Sequence, residues 1–342
     1  MSEAGVEIPI QQESKPVLGK REYEYQGNRI KVGFAKFSNP ENSNFDPKKA
    51  AFLLTGWPMR HDTQIDWGQS QALAKEFGLT TYDIDGRPKG VFKGSSIALE
   101  VEGIRQFTQE LQSTGVEEIT LFGHSIGASK IIDLAVSLEQ KNSGLKINLV
   151  LINPMGLTDK DIKEIAKNYL LDASAVEDRT KNPNRIYQKN KFKVLMGLGK
   201  SLLKDVRDLK LRYPRLLTDQ IRYLSQMNSN LAKIKSPVLV LLASEDPVSE
   251  LERILPKQEV EKLMPAPKPE ENSRESMARV SKARTDYLRK EVFPQAEHVG
   301  IIVVEKFANH IAFGIERPGA TNHIIARYFA RVEREAKKQQ PV

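Results

Sequence analysis

Short apolar runs alternate with amphipathic segments along most of the chain. Three of the runs, AAFLLT (50–55), EEITLF (117–122) and KINLVLIN (146–153), have the length and composition of strands. Residues 64–77 and 95–113, which lie between the first two runs, repeat apolar positions at helical spacing. Strands that alternate with helices in this way predict an α/β fold, with a mainly parallel, twisted sheet and helices on both faces.

The same reasoning predicts the other elements of the sheet domain. Residues 21–37 alternate between apolar and polar positions around Gly27-Asn28, which predicts a β-hairpin near the start of the chain. The remaining predicted elements are a strand at 78–85, a helix from Ser125 to about Lys141, strands at 236–244 and 298–307, and a helix at 321–338.

Two stretches interrupt the alternation. Residues 155–235 contain several helical patterns and no convincing strand, which predicts an inserted helical lid. Residues 256–295 begin with a proline-rich segment and continue as a mixed-charge helical pattern, so we expect a second insertion there. The predicted organisation is a polar leader at 1–19, an α/β core formed by 20–154 and 236–338, and the lid between the two core segments.

The positive charge of the chain is concentrated in the predicted lid. The formal net charge is +8, and residues 181–235 contain fourteen Lys or Arg and three Asp, which gives this segment +11 and the rest of the chain −3. Such a segment is either a patch for anionic ligands or a solvated helical surface. Sparse aromatic residues and the lack of a nucleic-acid-binding motif argue against a nucleic-acid partner.

Composition excludes several classes of protein. The absence of cysteine excludes disulfides, thiolate nucleophiles and cysteine-ligated metals. No apolar run approaches the ~18 residues that a membrane span needs, and the acidic, polar amino terminus is unlike a secretory signal, so a cytoplasmic protein is expected. GLGKS (197–201) lacks the first glycine of a phosphate-binding loop, because Val194 stands there, and no H-E-x-x-H metal motif occurs. We therefore expect neither a metal nor a cofactor.

The pattern changes abruptly from strand to helix at GHSIG (123–127). In a nucleophile elbow, a G-x-S-x-G serine occupies a strained turn that lifts its hydroxyl above the carboxyl edge of the sheet, and the glycines let the backbones pass closely. The five letters alone are weak evidence and also fit an ordinary glycine-rich turn. Because a predicted strand precedes them and a predicted helix follows, we interpret Ser125 as a catalytic nucleophile.

Around this motif the chain resembles the α/β-hydrolase superfamily, in its lid-bearing serine hydrolase branch, over roughly residues 20–335. LLTGWP resembles the loop after the family's third strand, and TYDIDGRPKGVFKGSS resembles the segment after its fourth strand. VLVLLASEDPVS and FANHIAFGIERPG are similar to the segments that carry the family's acid and histidine. These segments occur in the family's Ser, Asp, His order, so the resemblance implies a serine hydrolase with a catalytic triad.

A serine hydroxyl needs a base to take its proton, and the chain has five histidines. Active sites of parallel sheets lie at the carboxyl ends of strands. His298 precedes its strand, His323 lies within the last helix, and His124 adjoins the serine but diverges from it. His310 follows the last strand after a short loop, so we assign it as the general base and then the general acid. His61 is a reserve base or a substrate contact.

The triad also needs an acid that orients the imidazole and stabilises its cation. Asp246 lies just beyond VLVLLAS and is followed by a proline that turns the chain away, so we assign it as this acid. Its neighbour Glu245 is an alternative. In some relatives the acid instead follows the sixth strand, where this chain has Asn153 and later Asp159.

Backbone amides are expected to stabilise the oxyanion of the tetrahedral intermediate. The amide of Ile126, at the start of a helix, is one donor, and the family resemblance implies that the amide of Trp57 is the other. The family's common His-Gly pair is Thr55-Gly56 here, so the exact shape of this loop differs. Gly56 and His124, which adjoin the oxyanion donors and the nucleophile, are expected to contact the substrate.

These interpretations favour a hydrolase that cleaves an ester, thioester or amide of a small acyl substrate through an acyl-Ser125 intermediate. The basic lid suggests a carboxylate or phosphate on that substrate. Acyl transfer, carbon–carbon bond hydrolysis and cofactor-free perhydrolysis use similar triads, and the sequence does not separate them. The alternative is a non-catalytic ligand-binding or interaction protein on the same fold.

Overall fold

The structure is a computed structural model of the 342-residue chain. It describes residues 15–54, 56, 61, 67–90, 92–141, 144–157, 161, 163, 213–243, 281–304 and 318–339. Most of the predicted lid, most of the predicted insertion at 256–295 and all but the last residues of the predicted leader lie outside this part of the chain.

Eight strands form one sheet in the described residues. They are β1 (Val17–Tyr25), β2 (Asn28–Phe37), β3 (Lys49–Leu54), β4 (Thr80–Lys89), β5 (Glu118–His124), β6 (Lys146–Ile152), β7 (Val238–Ala243) and β8 (Val299–Val304). The strands lie in the order β1-β2-β4-β3-β5-β6-β7-β8. β2 is antiparallel to both of its neighbours, and all other neighbouring pairs are parallel. The mainly parallel sheet that the sequence predicted is therefore confirmed.

Helices connect the strands as the apolar spacing predicted. The described helices are α1 (Trp67–Phe77), α2 (Ser96–Ser113), α3 (Ile126–Gln140), α4 (Tyr213–Ser225), a 3₁₀ turn (Leu231–Lys233), a segment at 281–287 that continues as a π-helical turn (Leu288–Val292), and α5 (Pro318–Gln339). The ends of α2, α3 and α5 lie within three residues of the predicted ends. Within the described part of the chain, no helix has both the length and the apolar character that crossing a membrane would require.

Each face of the sheet carries its own apolar layer, because successive side chains of a strand point to opposite faces. Phe52 of β3 belongs to the layer that contains Ile104 of α2 and residues of α3. The next residue, Leu53, belongs to the layer that contains Leu73 of α1 and Tyr328 of α5. The sheet is therefore covered by helices on both faces, with α2 and α3 on one side and α1 and α5 on the other.

The amino-terminal hairpin is present, but its turn lies one residue earlier than predicted. Gln26 and Gly27 both have positive φ, 49° and 71°, as a type I′ turn requires. Asn28 is already the first residue of β2 and pairs with Tyr25. The side chain of Asn28 is buried and accepts a hydrogen bond from the amide of Lys93 (2.8 Å). Asn28 thus connects the hairpin to the loop before α2.

The carboxyl ends of β3 to β8 share one edge of the sheet, because these strands are parallel to one another. In the register, Asp83 of β4 is level with Leu53 of β3, and Leu53 is level with Phe122 of β5. It follows that Asp85, two residues further along β4, is level with His124 at the end of β5. Side chains from β4, β5 and the loop after β3 can therefore meet at this edge.

Candidate active site

Ser125 occupies a strained turn between β5 and α3. Its backbone angles are φ 56° and ψ −123°, a combination that residues other than glycine rarely adopt. Serine is a favourable residue at a helix N-cap, yet the side chain of Ser125 makes no hydrogen bond that caps α3. Strained backbone of this kind costs on the order of 1–3 kcal/mol. The turn therefore has the backbone geometry of a nucleophile elbow.

Two glycines allow neighbouring segments to lie close to this turn. A Cβ atom on Gly123 would lie 2.6 Å from the Cα atom of Ala128 and 2.6 Å from the carbonyl oxygen of Gly127. Only glycine permits this contact between β5 and α3, because backbone atoms cannot move aside. A Cβ atom on Gly56 would lie 3.1 Å from Cβ and 3.6 Å from Oγ of Ser125. The loop after β3 therefore begins directly against the serine side chain.

Backbone hydrogen bonds hold the elbow against β6 and the turn that follows β6. The amide of Ser125 donates to the carbonyl of Ile152 (3.0 Å), and the amide of Met155 donates to the carbonyl of Ser125 (3.1 Å). Asn153, which also has positive φ (41°), donates its amide to the carbonyl of Leu241 in β7 (2.8 Å). Two buried residues with positive φ thus lie side by side at the carboxyl edge. At the alternative acid position after the sixth strand, Asn153 offers an amide and no carboxylate.

Four of the predicted site residues lie together at this edge. Ile126 is the first residue of α3, so its amide is among those at the helix start that lack a partner within the helix. His124 is the last residue of β5 and is partly buried. Gly56 adjoins the side chain of Ser125. The predicted nucleophile, one predicted oxyanion donor and both substrate-contact candidates therefore share one small region.

The remaining site predictions concern residues that the structure does not describe. The strands that precede the acid and the base are described, however, and their carboxyl ends share the edge at which β5 ends. β7 ends three residues before the predicted acid, and β8 ends six residues before the predicted base. The predicted site residues outside the described part of the chain are Trp57, Asp246 and His310, together with the alternative acids Glu245 and Asp159.

Two histidines lie away from the carboxyl edge. His298 precedes β8 at the opposite edge, where its Nδ1 lies 3.6 Å from the carboxylate of Glu335. His323 lies on α5 and is exposed. These positions agree with the exclusion of both as the base. In the part of the chain that the structure describes, no group of three or more His, Asp or Glu side chains could hold a metal ion.

His61, in the loop after β3, is bound by Asp85 of β4. Its amide donates to Oδ2 of Asp85 (3.1 Å), and its Nδ1 lies 2.8 Å from the same oxygen. The imidazole lies against Gly33 of β2, where a Cβ atom would come within 2.1 Å of Cε1. β2 is three strands from β5, so at ~4.8 Å between strands the ring lies about 14 Å from the strand that leads to Ser125. In this position the imidazole does not reach the hydroxyl, and His310 stays the assigned base.

Sequence reasoning did not identify Asp85 as a partner of His61. The available signal was the pair of acidic residues in YDID, because Asp83 and Asp85 lie on the same face near the carboxyl end of a strand. Asp83 accepts a hydrogen bond from the hydroxyl of Ser70 on α1 (2.7 Å). Asp85 lies closer to the edge, and it binds the loop after β3.

The carboxylate of Asp133 on α3 binds both the end of α4 and the segment that follows it. Its Oδ1 accepts hydrogen bonds from Nδ2 of Asn228 (3.0 Å) and Nδ2 of Asn230 (2.9 Å), and its Oδ2 accepts one from the hydroxyl of Tyr223. The amide of Asn228 donates to the carbonyl of Gly156 (2.7 Å), so the two ends of the predicted lid meet above α3. Burial raises the pKa of Asp133, although the two asparagine donors act in the opposite direction.

Replacing Asp133 with asparagine is expected to change how stability depends on pH. Because the pKa of Asp133 is raised in the folded state, the folded protein keeps its proton to a higher pH than the unfolded chain does. The contribution of Asp133 to the free energy of unfolding therefore falls as pH rises from about 3.8 through the raised pKa. The variant lacks this titration, so the difference in unfolding free energy, wild type minus Asp133→Asn, should decrease over that interval. Urea unfolding from about pH 4 to about pH 7 measures it, and a difference that grows with pH would contradict the expectation.

Solved structures with a similar fold include three bacterial proteins. An esterase from Thermogutta terrifontis has a TM-score of 0.52 and 15% identity, covering 93% of this chain and 99% of that protein. A probable hydrolytic enzyme from Pseudomonas aeruginosa PAO1 has a TM-score of 0.54 and 14% identity, covering 92% and 93%. A serine hydrolase from Cycloclasticus zankles has a TM-score of 0.53 and 16% identity, covering 92% and 98%.

These likenesses concern the fold. No protein-family profile and no curated protein sequence matches the chain, and at 14–16% identity a shared fold does not carry a shared activity. The similarity extends over almost the whole length of this chain and of the three proteins. It confirms the fold that the sequence motifs predicted.

Proposed function

We propose that this chain, which has the α/β-hydrolase fold, is a serine hydrolase that cleaves a carboxylic ester, thioester or amide through an acyl-Ser125 intermediate. The observation that carries the proposal is the backbone of Ser125, with φ 56° and ψ −123° at the carboxyl edge of the sheet. Glycine would adopt this conformation without strain. A serine at this position costs stability, and a catalytic hydroxyl is a physical reason for that cost.

In the proposed reaction, His310 takes the proton from Ser125 while Oγ attacks the carbonyl carbon of the substrate. Asp246 orients the imidazole and stabilises its cation. The amides of Ile126 and Trp57 donate to the oxyanion. The intermediate then collapses, and the leaving group takes the proton from His310 and departs. Water then gives a proton to His310 and attacks the acyl carbon, and His310 returns that proton to Oγ as the carboxylic acid leaves, which restores the serine.

The substrate is proposed to be a small acyl compound that carries a carboxylate or a phosphate. The net charge of +11 in residues 181–235 supports an anionic group, since this segment belongs to the predicted lid. Gly56 and His124 are the proposed contacts near the reacting carbonyl, because both adjoin Ser125. A cytoplasmic location stays a prediction from the sequence.

A fluorophosphonate probe tests the proposed nucleophile, because it reacts covalently with activated serines. Wild-type protein is expected to be labelled, and Ser125→Ala is expected to be unlabelled. Hydrolysis of short p-nitrophenyl esters should fall by at least about 10⁴-fold in the same variant. Asp246→Asn and His310→Ala keep the hydroxyl but lose its activation, so both should be labelled far more slowly than the wild type.

Ser129→Ala is a matched control on the next turn of α3. Ser129 is buried like Ser125, but its Oγ donates to the carbonyl of Met155 (2.8 Å), and the proposed reaction does not use it. This variant should keep its labelling. Labelling that persists in Ser125→Ala would contradict the assignment, and a folded wild type that the probe does not label would favour a non-catalytic ligand-binding protein on this fold.

A further inference from the structure

We propose that Asp85 and His61 form a clamp that positions the loop after β3 against Ser125, and that both are positioning residues for the proposed hydrolysis. The inference rests on the proposed function, because it concerns the loop that carries the second predicted oxyanion donor. The clamp consists of Asp85, His61 and the contact of the imidazole with Gly33.

The clamp holds both the backbone and the side chain of His61. Oδ2 of Asp85 lies 3.1 Å from the amide nitrogen and 2.8 Å from Nδ1. Oδ2 accepts the backbone amide of His61, and the Nδ1–H tautomer of the imidazole presents a second donor to the same oxygen. The side chains are 13% and 9% exposed, for His61 and Asp85 respectively. Water therefore competes little for these bonds, and one carboxylate oxygen sets the position and the ring orientation of a loop residue.

The sheet provides a space that fits the imidazole. Gly33 of β2 is the register partner of Asp85 in β4. A Cβ atom on Gly33 would lie 2.1 Å from Cε1 and 2.7 Å from both ring nitrogens of His61. Any other residue at position 33 would displace the ring. The three residues therefore fit together. Gly33 leaves the space that the imidazole of His61 fills, and Asp85, opposite Gly33 on the next strand, binds the ring.

The loop between the clamp and the nucleophile is short. Gly56 lies against Ser125, and only four residues separate Gly56 from His61. Five residue steps span at most about 18 Å, so the anchor at His61 can lie no further than this from Gly56. An anchor at His61 restricts where the amide of Trp57, one residue after Gly56, can lie.

The expected effect of losing the clamp follows from how strongly oxyanion stabilisation depends on geometry. Complete loss of one oxyanion donor reduces kcat by ~10²- to 10³-fold, and a displacement of about 1 Å can cost ~10²-fold. Loss of the clamp loosens the loop without deleting the donor. We therefore expect kcat to fall by about 10- to 100-fold, with KM changed by less than about 3-fold, because the oxyanion forms only in the transition state.

Asp85→Ala and Gly33→Ala test the clamp from two sides. Asp85→Ala removes both hydrogen bonds, while Gly33→Ala keeps every ionisable group and displaces the ring. Both should show the fall in kcat. The kcat of Asp85→Asn, which keeps a neutral acceptor, should lie between that of Asp85→Ala and that of the wild type.

The affinity of both clamp variants for a trifluoromethyl ketone, which binds serine hydrolases as a tetrahedral oxyanion, should fall by the same factor as kcat. Hydrogen exchange in a peptide covering residues 55–62 should become faster.

Glu110→Gln is the matched control, since it also removes a bound carboxylate. Glu110 accepts hydrogen bonds from Nε of Arg21 (2.8 Å) and the hydroxyl of Tyr23 (2.7 Å) near the end of α2, and the proposed reaction does not involve it. Its kcat should match the wild type. The proposal is overturned if Asp85→Ala and Gly33→Ala fold and keep kcat within about 2-fold, or if Glu110→Gln loses as much activity as they do.

Failure of the clamp can be distinguished from failure of the proposed function. If the wild type neither hydrolyses esters nor reacts with the fluorophosphonate, the proposed function fails. Faster exchange of residues 56–61 in Asp85→Ala would still support the mechanical part of the inference in that case. Unchanged exchange in both clamp variants would overturn the clamp whatever the activity of the wild type.

Discussion

Replacing Ser125 with glycine is expected to abolish ester hydrolysis and, at the same time, to make the folded protein more stable. Most substitutions at buried positions destabilise a protein. Ser125 has φ 56° and ψ −123°, so its Cβ atom contributes strain of about 1–3 kcal/mol that glycine would remove. Glycine also gives the unfolded chain more freedom, which offsets about 0.5–1 kcal/mol. The net gain in unfolding free energy should be about 1 kcal/mol.

Ser125→Ala separates the two effects of this substitution. Alanine also lacks the hydroxyl, so its activity should fall by the same factor, at least about 10⁴-fold. It keeps the Cβ atom, and therefore keeps the backbone strain. Urea unfolding should show Ser125→Gly to be more stable than Ser125→Ala. The opposite order would mean that the positive φ is not a source of strain, and it would remove the physical argument on which the nucleophile assignment depends.

The strands and helices of the core could be predicted because their signal is local. β3, β5, β6 and β7 are short apolar runs, buried on both faces, with helical patterns between them. The order of the strands within the sheet has no comparable local signal in the sequence. The Ser125 elbow was also a local signal, because glycines flank a serine at a change from strand to helix. Gly123 is needed because its Cα lies against the backbone of Ala128, and Ser125 itself has the positive φ of the turn.

The largest differences in element boundaries are at the start of β1, at the end of β4 and in the hairpin turn, where strand pairing and turn conformation have no local signal. β4 continues to Lys89, beyond the predicted end at residue 85, because its last residues pair antiparallel with the start of β2. Those residues include a glycine and a proline, which do not predict a strand. The hairpin turn contains Gln26 with positive φ, and the residue type gives no indication of that conformation.

Polar contacts between distant segments were the least accessible to sequence reasoning. Asp85 and His61 are 24 residues apart, and Asp133 binds residues 90 to 97 positions away. No periodicity connects such positions. The helical patterns also gave no reason to expect buried charge within α2 and α3, because charged residues on helices usually face solvent.

Glu100 of α2 and Lys130 of α3 form a buried ion pair between these two helices, and α3 begins directly after the Ser125 turn. Nζ of Lys130 lies 2.9 Å from Oε2 of Glu100, and the two side chains are 5% and 4% exposed. Arg87 of β4 lies 3.5 Å from the same oxygen and is 12% exposed. Glu100 therefore faces two cations. Charges taken out of water are compensated only while their partners are present.

Glu100→Gln is expected to lower the free energy of unfolding by about 3–5 kcal/mol, because it leaves the ammonium of Lys130 buried beside a neutral amide. Lys130→Met should cost less, since Glu100 keeps Arg87 as a partner and the methionine fills the same space. The double variant should be more stable than Glu100→Gln alone, because Arg87 is the more exposed cation. Urea unfolding of the four proteins in a double-mutant cycle measures the coupling. Equal losses in the two single variants would contradict the unequal roles assigned to the two residues, and additive losses would show that the pair carries no net interaction.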